Sequence, residues 1–157
     1  MHPHKTRVWE FLRRNRLATI ATISSENNSP QVSLIYYVTD ENFHLYIVTS
    51  TESRKIRNIL KNNKVALCIG QEVEPLVLQI EGDAKILDNQ EKKIEIAHRY
   101  LDIANTSNPK SANWPPIMKI PSDSGFIIIE ITINQFKFSD FSGTESEIIE
   151  GTPDNWT

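Results

Sequence analysis

Glycine is scarce in this chain. Its five glycines (Gly70, Gly82, Gly125, Gly143 and Gly151) stand too far apart to build a dinucleotide fingerprint or a Walker loop. Cysteine occurs once, as Cys68 within VALCIG, so no internal disulfide forms and the thiol reads as a small core residue. The four histidines, His2, His4, His44 and His98, do not cluster with cysteine or acids at metal-ligand spacing, which argues against a metal site. No nucleophile elbow or Ser/His/Asp arrangement is present. Long apolar runs are missing too. None approaches membrane-spanning length, and Phe126–Ile129 stops at Glu130, so no membrane span is expected and the chain reads as cytoplasmic. Net charge is −3, and no basic groove accompanies Tyr36, Tyr37 and Tyr46, so nucleic acid is not an expected partner.

What is present suits one domain spanning residues 1–157, with 39% hydrophobic and 24% charged residues. Charge is uneven. The stretch 2–17 carries Lys5, Arg7, Arg13, Arg14 and Arg16 against Glu10, whereas the end of the chain carries Asp140, Glu145, Glu147, Glu150 and Asp154. Attraction between the two ends is one reading. A solvated tail over Ser142–Thr157, with little to bury, is the simpler one.

Periodicity predicts an amphipathic helix over Lys5–Arg14 with Val8, Trp9, Phe11 and Leu12 on its apolar stripe. Strands are expected over Leu17–Ile23, Gln31–Val38, Leu45–Ser50, Val65–Gly70, Leu76–Leu87 and Gly125–Ile133, the last extensible through Phe136–Phe138. Gln31–Val38 is apolar on nearly both faces, which predicts cover on each side. Gly82, inside a strand, predicts a bulge or a close backbone approach. A second helix starts near Ser53 and buries Ile56, Ile59 and Leu60. A third covers Asp88–Ala104, with Asp88 and Glu91 at capping-box spacing and Ile94, Ala97, Leu101 and Ala104 as its stripe. Asn105–Ser124 is a proline-rich loop holding Trp114, a candidate functional residue or barrel plug. Six short strands joined early by hairpin turns, several apolar on both faces, predict a mainly β fold. The expected architecture is a six-stranded antiparallel barrel with helices packed outside.

The stretch HLYIVTSTESRKIRNIL carries the chemistry. A strand ends in Thr49-Ser50, and a helix begins with Ser53, Arg54 and Lys55. Hydroxyls, two cations, exposed backbone N–H groups and the positive end of the helix dipole converge there. A phosphate fits such a spot without a glycine-rich loop. Ordinary helix capping and a solvated basic face would leave the same local residues.

The succession LATIATIS, QVSLIYYVTDENFHLYIVTSTESRKIRNILKNNKVAL and LVLQIEGDAKI resembles the FMN-binding split barrel of the pyridoxamine 5′-phosphate oxidase-like superfamily. The most specific piece is VTSTESRKIRNILKNNKVAL, and the resemblance spans roughly Val8 to Ala104. It implies a homodimer with FMN in clefts at its interface and flavin oxidoreductase activity on a small-molecule substrate. Arg54 and Lys55 would hold the cofactor phosphate, with Val48, Thr49, Ser50 and Ser53 around it. Val32–Tyr37 would run beside the flavin ring, its Ser33, Leu34, Ile35 and Tyr36 in reach of it. Gln79, or its face-mate Val77, lies on the strand that supplies a glutamine in the family. The oxidase itself has arginine and lysine where this chain has Val32 and Tyr37, and its arginine-bearing C-terminal segment has no counterpart here. Pyridoxamine phosphate is therefore not the implied substrate. Alternatives are a non-catalytic flavin carrier or sensor, or the same barrel holding F420 or haem, with His44 as the candidate axial ligand.

Overall fold

A computed structural model describes residues 3–71, 73–106 and 125–156. Trp114 and most of the proline-rich loop lie outside the described residues. The elements run α1 (Pro3–Arg14), β1 (Leu17–Ile23), β2 (Pro30–Tyr36), β3 (Val38–Thr39), β4 (His44–Ser50), α2 (Arg54–Lys61), β5 (Lys64–Gln71), β6 (Leu76–Ile86), α3 (Gln90–Thr106), β7 (Phe126–Asp140), β8 (Glu147–Thr152) and β9 (Asn155–Trp156). All strand pairs are antiparallel, and the hydrogen-bonded path reads β2-β1-β5-β6-β7-β4-β3. Its two ends, β2 and β3, are separated in the chain only by Tyr37, so the sheet curls back on itself.

The described residues therefore form nine strands rather than six, for two reasons. The stretch expected as one strand over Gln31–Val38 breaks at Tyr37, whose N–H bonds to Arg16 O at 2.9 Å rather than to a ladder partner. The acidic end of the chain also contributes β8, paired with β7, and β9, paired with β8. Ile149 of β8 is 1% exposed against the core, so this segment does bury a side chain. Arg7 of α1 ties it down further, donating to Glu147 at 2.7 Å and to Asp140 at the end of β7. Arg7 thus makes an attraction between the basic start and the acidic end.

Inside the curl, alternate residues of each strand meet: Ile20 of β1, Leu67 and Ile69 of β5, Leu78 and Ile80 of β6, Ile129 and Ile131 of β7, all at most 3% exposed. α1 closes one end with Val8, Phe11 and Leu12, and Phe11 meets Phe138 edge-on at 5.3 Å. Gly82 sits at a register shift between Glu81 and Gly82 in the β6–β7 ladder. A Cβ there would lie 2.5 Å from Thr132 O, so the close approach expected from the sequence is real.

Four expectations shift by a face. Cys68 is exposed, because its neighbours Leu67 and Ile69 take the inward positions of β5. Val32 and Leu34 are 62% and 54% exposed, so β2 is covered on one side only in a single chain. Leu60 is 69% exposed, because α2 buries Ile56, Asn58 and Ile59 instead. α3 buries Ile96 and Tyr100 rather than Ile94 and Leu101, and it is capped by Asn89, whose Oδ1 accepts from Lys92 N at 2.9 Å. The hydroxyl of Tyr100 decides that rotation. It donates to Tyr36 O and lies 3.3 Å from Tyr46 O, pinning α3 across the break between β2 and β3.

Candidate functional site

The β3–β4 ladder lasts two pairs, Val38 with Tyr46 and Thr39 with Leu45. Beyond it, β4 from Ile47 to Ser50 is bonded on one side to β7, while β2 is bonded on one side to β1. Two strand edges consequently flank a split, each with backbone groups that no ladder uses. One edge carries Ser33, Leu34, Ile35 and Tyr36, the other Val48, Thr49 and Ser50. Tyr36 packs against the small apolar cluster that contains Val48, Tyr46 and Tyr100, which brings the two edges together at one end.

At the other end of β4 the chain turns into α2. Ser50 serves the turn: its carbonyl accepts from Ser53 N at 3.1 Å and its hydroxyl from Glu52 N at 3.3 Å. Ser53 is the N-cap residue in extended conformation, yet its hydroxyl bonds no helix N–H. It accepts instead from Thr49 Oγ1 at 3.1 Å, and Lys55 Nζ reaches that same Thr49 oxygen at 3.3 Å. The N–H groups of Arg54 and Lys55 are those an α-helix leaves without an intrahelical acceptor. No acid occupies the first turn. Burial, and then the adjacent Arg54 charge, hold Lys55 below the ordinary lysine range. The cluster therefore gathers two cations, two hydroxyls and the positive end of a helix, with no ion pair to a carboxylate among the described residues. An anion of two charges would offset the repulsion from Arg54 and favour the charged form of Lys55.

α2 holds this cluster in place through a residue that the sequence reading missed. Asn58, 2% exposed, donates from Nδ2 to Thr22 Oγ1 and to Gln31 Oε1, each at 2.9 Å, and accepts from Ser25 N at 2.9 Å. It thereby fastens α2 to β1, β2 and their connecting turn. The available signal was an amide placed between Ile56 and Ile59, on the face that should be apolar.

Gln79 stands apart from Arg54 and Lys55. It lies on the outer face of the sheet, in a register row that runs Leu34, Thr19, Cys68, Gln79, Lys137, Glu150 across β2, β1, β5, β6, β7 and β8. The middle of that row lines a groove of about 450 Å³. Val77 is two residues along the same face, in the row Gly70, Val77, Ser139, Ile148. His44 sits at the opposite end of β4 from Thr49, with Nδ1 3.4 Å from Asp40 and its ring edge-on to Tyr46. Tyr37, where the oxidase has lysine, is 1% exposed and donates its hydroxyl to Leu12 O at 3.0 Å, so it is turned into the core and away from the split. Among the described residues no group of three or more His, Cys, Asp or Glu side chains could hold a metal. No described helix is long and apolar enough to cross a membrane.

Comparison with known proteins agrees with this fold. The family model described as pyridoxamine 5′-phosphate oxidase matches residues 5–140. Among solved structures, a pyridoxamine 5′-phosphate oxidase-related, FMN binding protein from Nostoc punctiforme superposes with a TM-score of 0.68 at 14% identity, covering 100% of this chain and 96% of that one. General stress protein 26 from Bacillus anthracis gives 0.67 at 20% identity, covering 88% and 94%. A heme binding protein from Mycobacterium smegmatis gives 0.67 at 15% identity, covering 98% of this chain and 60% of that one. At these identities the likeness is one of fold. Among curated proteins none matches this chain.

Proposed function

The chain belongs to the pyridoxamine 5′-phosphate oxidase family, and on that premise we propose that it binds FMN in the split between β2 and β4 and acts as a flavin-dependent oxidoreductase. The observation that carries the reading is the Thr49–Ser53–Lys55 cluster with Arg54 beside it. It offers cations, hydroxyls and helix N–H groups to one dianion, with no ion pair to a carboxylate among the described residues. In this reading Arg54, Lys55, Thr49, Ser50 and Ser53 hold the phosphate. Val48 and the edge of β2 from Ser33 to Tyr36 lie along the flavin ring, and backbone groups of Ser33–Ile35 meet its polar rim. The bound flavin would supply hydride or electron transfer. The protein's part is to orient it, to tune its polar edge and to exclude water. With Val32 and the buried Tyr37 at the positions of the oxidase's arginine and lysine, the substrate differs from pyridoxamine phosphate.

The same reading assigns the outer sheet face to a second copy of the chain. Leu17, Val32, Leu34 and Ile148 are 41–62% exposed and share that face with the small residues Ala21, Ala66 and Gly70. A sheet face with several exposed large apolar side chains beside a groove is one that a homodimer can cover. Gln79 would then sit at the interface and reach the cofactor region of the dimer. Haem is the weaker alternative, because His44 is engaged with Asp40 and Tyr46 and lies far along β4 from the cationic cluster.

The test is the double variant Arg54→Ala/Lys55→Ala. It should lose FMN binding by at least a hundredfold while its far-UV spectrum and melting stay those of the parent, because Arg54 is exposed and Lys55 only half-buried. Undiminished FMN affinity in that variant would remove the site assignment.

A further inference from the structure

A second concentration of positive charge lies away from the split. A pocket of about 390 Å³ opens between the end of α1, β3 and α3, lined by Arg13, Arg14, Arg16, Arg99 and Asp102 among others. None of the residues assigned to the flavin lines it. In a chain of net charge −3, four arginines against one carboxylate in one concavity need a reason.

Helix capping does not supply that reason. At the end of α1, Phe11 O already accepts from the Asn15 side chain at 2.8 Å, and Leu12 O from the Tyr37 hydroxyl at 3.0 Å. Internal pairing does not supply it either. Glu74 neutralises Arg14 at 2.5 Å. Arg16 Nη1 donates to the Thr106 hydroxyl at 2.9 Å, and Arg99 Nη2 to Thr39 O at 2.7 Å, both neutral acceptors. Glu95 lies 3.6 Å from Arg99 Nη1, within ion-pair range though longer than a hydrogen bond. Arg13 stands 5.1 Å from the Trp9 ring. Among the described residues, three guanidinium groups therefore face the carboxylates of Asp102 and Glu95, a surplus of one charge. Two of the three are held by neutral hydrogen bonds that leave most of their five N–H donors unspent.

Guanidinium groups fixed in advance on different elements are suited to a multidentate oxyanion, because little side-chain freedom is lost on binding. The number of unspent N–H donors, spread over separate elements, suits the several oxygens of a phosphate better than the two of a single carboxylate. We propose that this pocket is a second anion site, one that takes a small phosphate-bearing molecule independently of Arg54 and Lys55. It does not depend on the flavin reading. The two regions are nonetheless neighbours, since Arg99 lines the pocket and the next residue, Tyr100, bonds Tyr36 at the edge of the split.

Pyrophosphate is the probe, titrated calorimetrically at constant ionic strength into three forms of the full chain. The Arg54→Ala/Lys55→Ala protein should retain a binding event at this pocket. The Arg16→Gln/Arg99→Gln protein should lose that event at least tenfold in affinity. Arg13→Gln, at a position with no hydrogen bond into the fold among the described residues, should weaken it severalfold with unchanged melting, which guards against a folding defect in the double variant. Loss of all pyrophosphate binding in the Arg54/Lys55 variant would overturn the proposal, as would unchanged binding in the Arg16/Arg99 and Arg13 variants. Failure of FMN to bind the parent protein would leave these outcomes as they are.

Discussion

Asn58→Ala removes one amide and strands three partners. Thr22, 3% exposed, loses the donor to its hydroxyl in a place water does not reach. Gln31 Oε1 and Ser25 N lose theirs at half-buried positions, where water recovers part of the loss. An orphaned buried polar group costs about 1–3 kcal/mol, and each half-buried one about half of that. Alanine returns roughly 0.5 kcal/mol through its better helix propensity. The net destabilisation is about 1.5–5.5 kcal/mol, which for a chain of this length lowers Tm by about 3–20 °C. Differential scanning calorimetry reads the loss directly. A second readout follows from the position of α2. Because Asn58 fastens the helix that presents Arg54 and Lys55, FMN affinity should also fall, although residue 58 touches no part of the proposed site. A Tm within about 1 °C of the parent would refute the claim that this network anchors α2.

Three further outcomes follow. Lys55 has its folded pKa lowered, chiefly by burial and then by Arg54, so the folded chain holds fewer protons than the unfolded one between that lowered value and the ordinary lysine value. Stability of the free protein should accordingly rise with pH across that window, a gain that Lys55→Met removes, while FMN binding takes up protons there and weakens as pH rises, which calorimetry in buffers of different ionisation heat measures. Gly82→Ala puts a methyl 2.5 Å from Thr132 O, backbone against backbone, so the β6–β7 ladder must open; a loss of about 2–4 kcal/mol in urea unfolding is expected, and a neutral result would contradict the bulge geometry. Leu34→Asp, at a position 54% exposed in one chain, should leave the monomer fold intact and shift sedimentation from dimer to monomer; an unchanged assembly state would move the interface elsewhere.

The fold was legible where side-chain period and burial agree. Leu78 and Ile80 face inward and Gln79 and Glu81 outward because a strand alternates, and Gly82 marked its bulge because no other residue fits there. Reading failed where two patterns competed within one element. α3 holds apolar residues that suit either of two stripes, and the hydrogen bond from Tyr100 to Tyr36, invisible in the sequence, selects one. Cys68 sits in an apolar run, but its parity on β5 turns it outward. The break at Tyr37 was hidden because both halves are β-prone; what separates them is a backbone bond to Arg16, far away in the chain. At the candidate site, local order carried Thr49, Ser53, Arg54 and Lys55 together, since a strand end and the helix after it are adjacent by construction. The facing edge of β2 is a tertiary feature, as is the anchoring by Asn58, whose partners lie 27 to 36 residues away.

The most direct test of the central claim is a visible absorption spectrum of the purified protein after addition of FMN and desalting. The account predicts flavin bands retained in proportion to protein, and their loss in the Arg54→Ala/Lys55→Ala variant. A parent protein that retains no flavin, or that carries a Soret band instead, would contradict it.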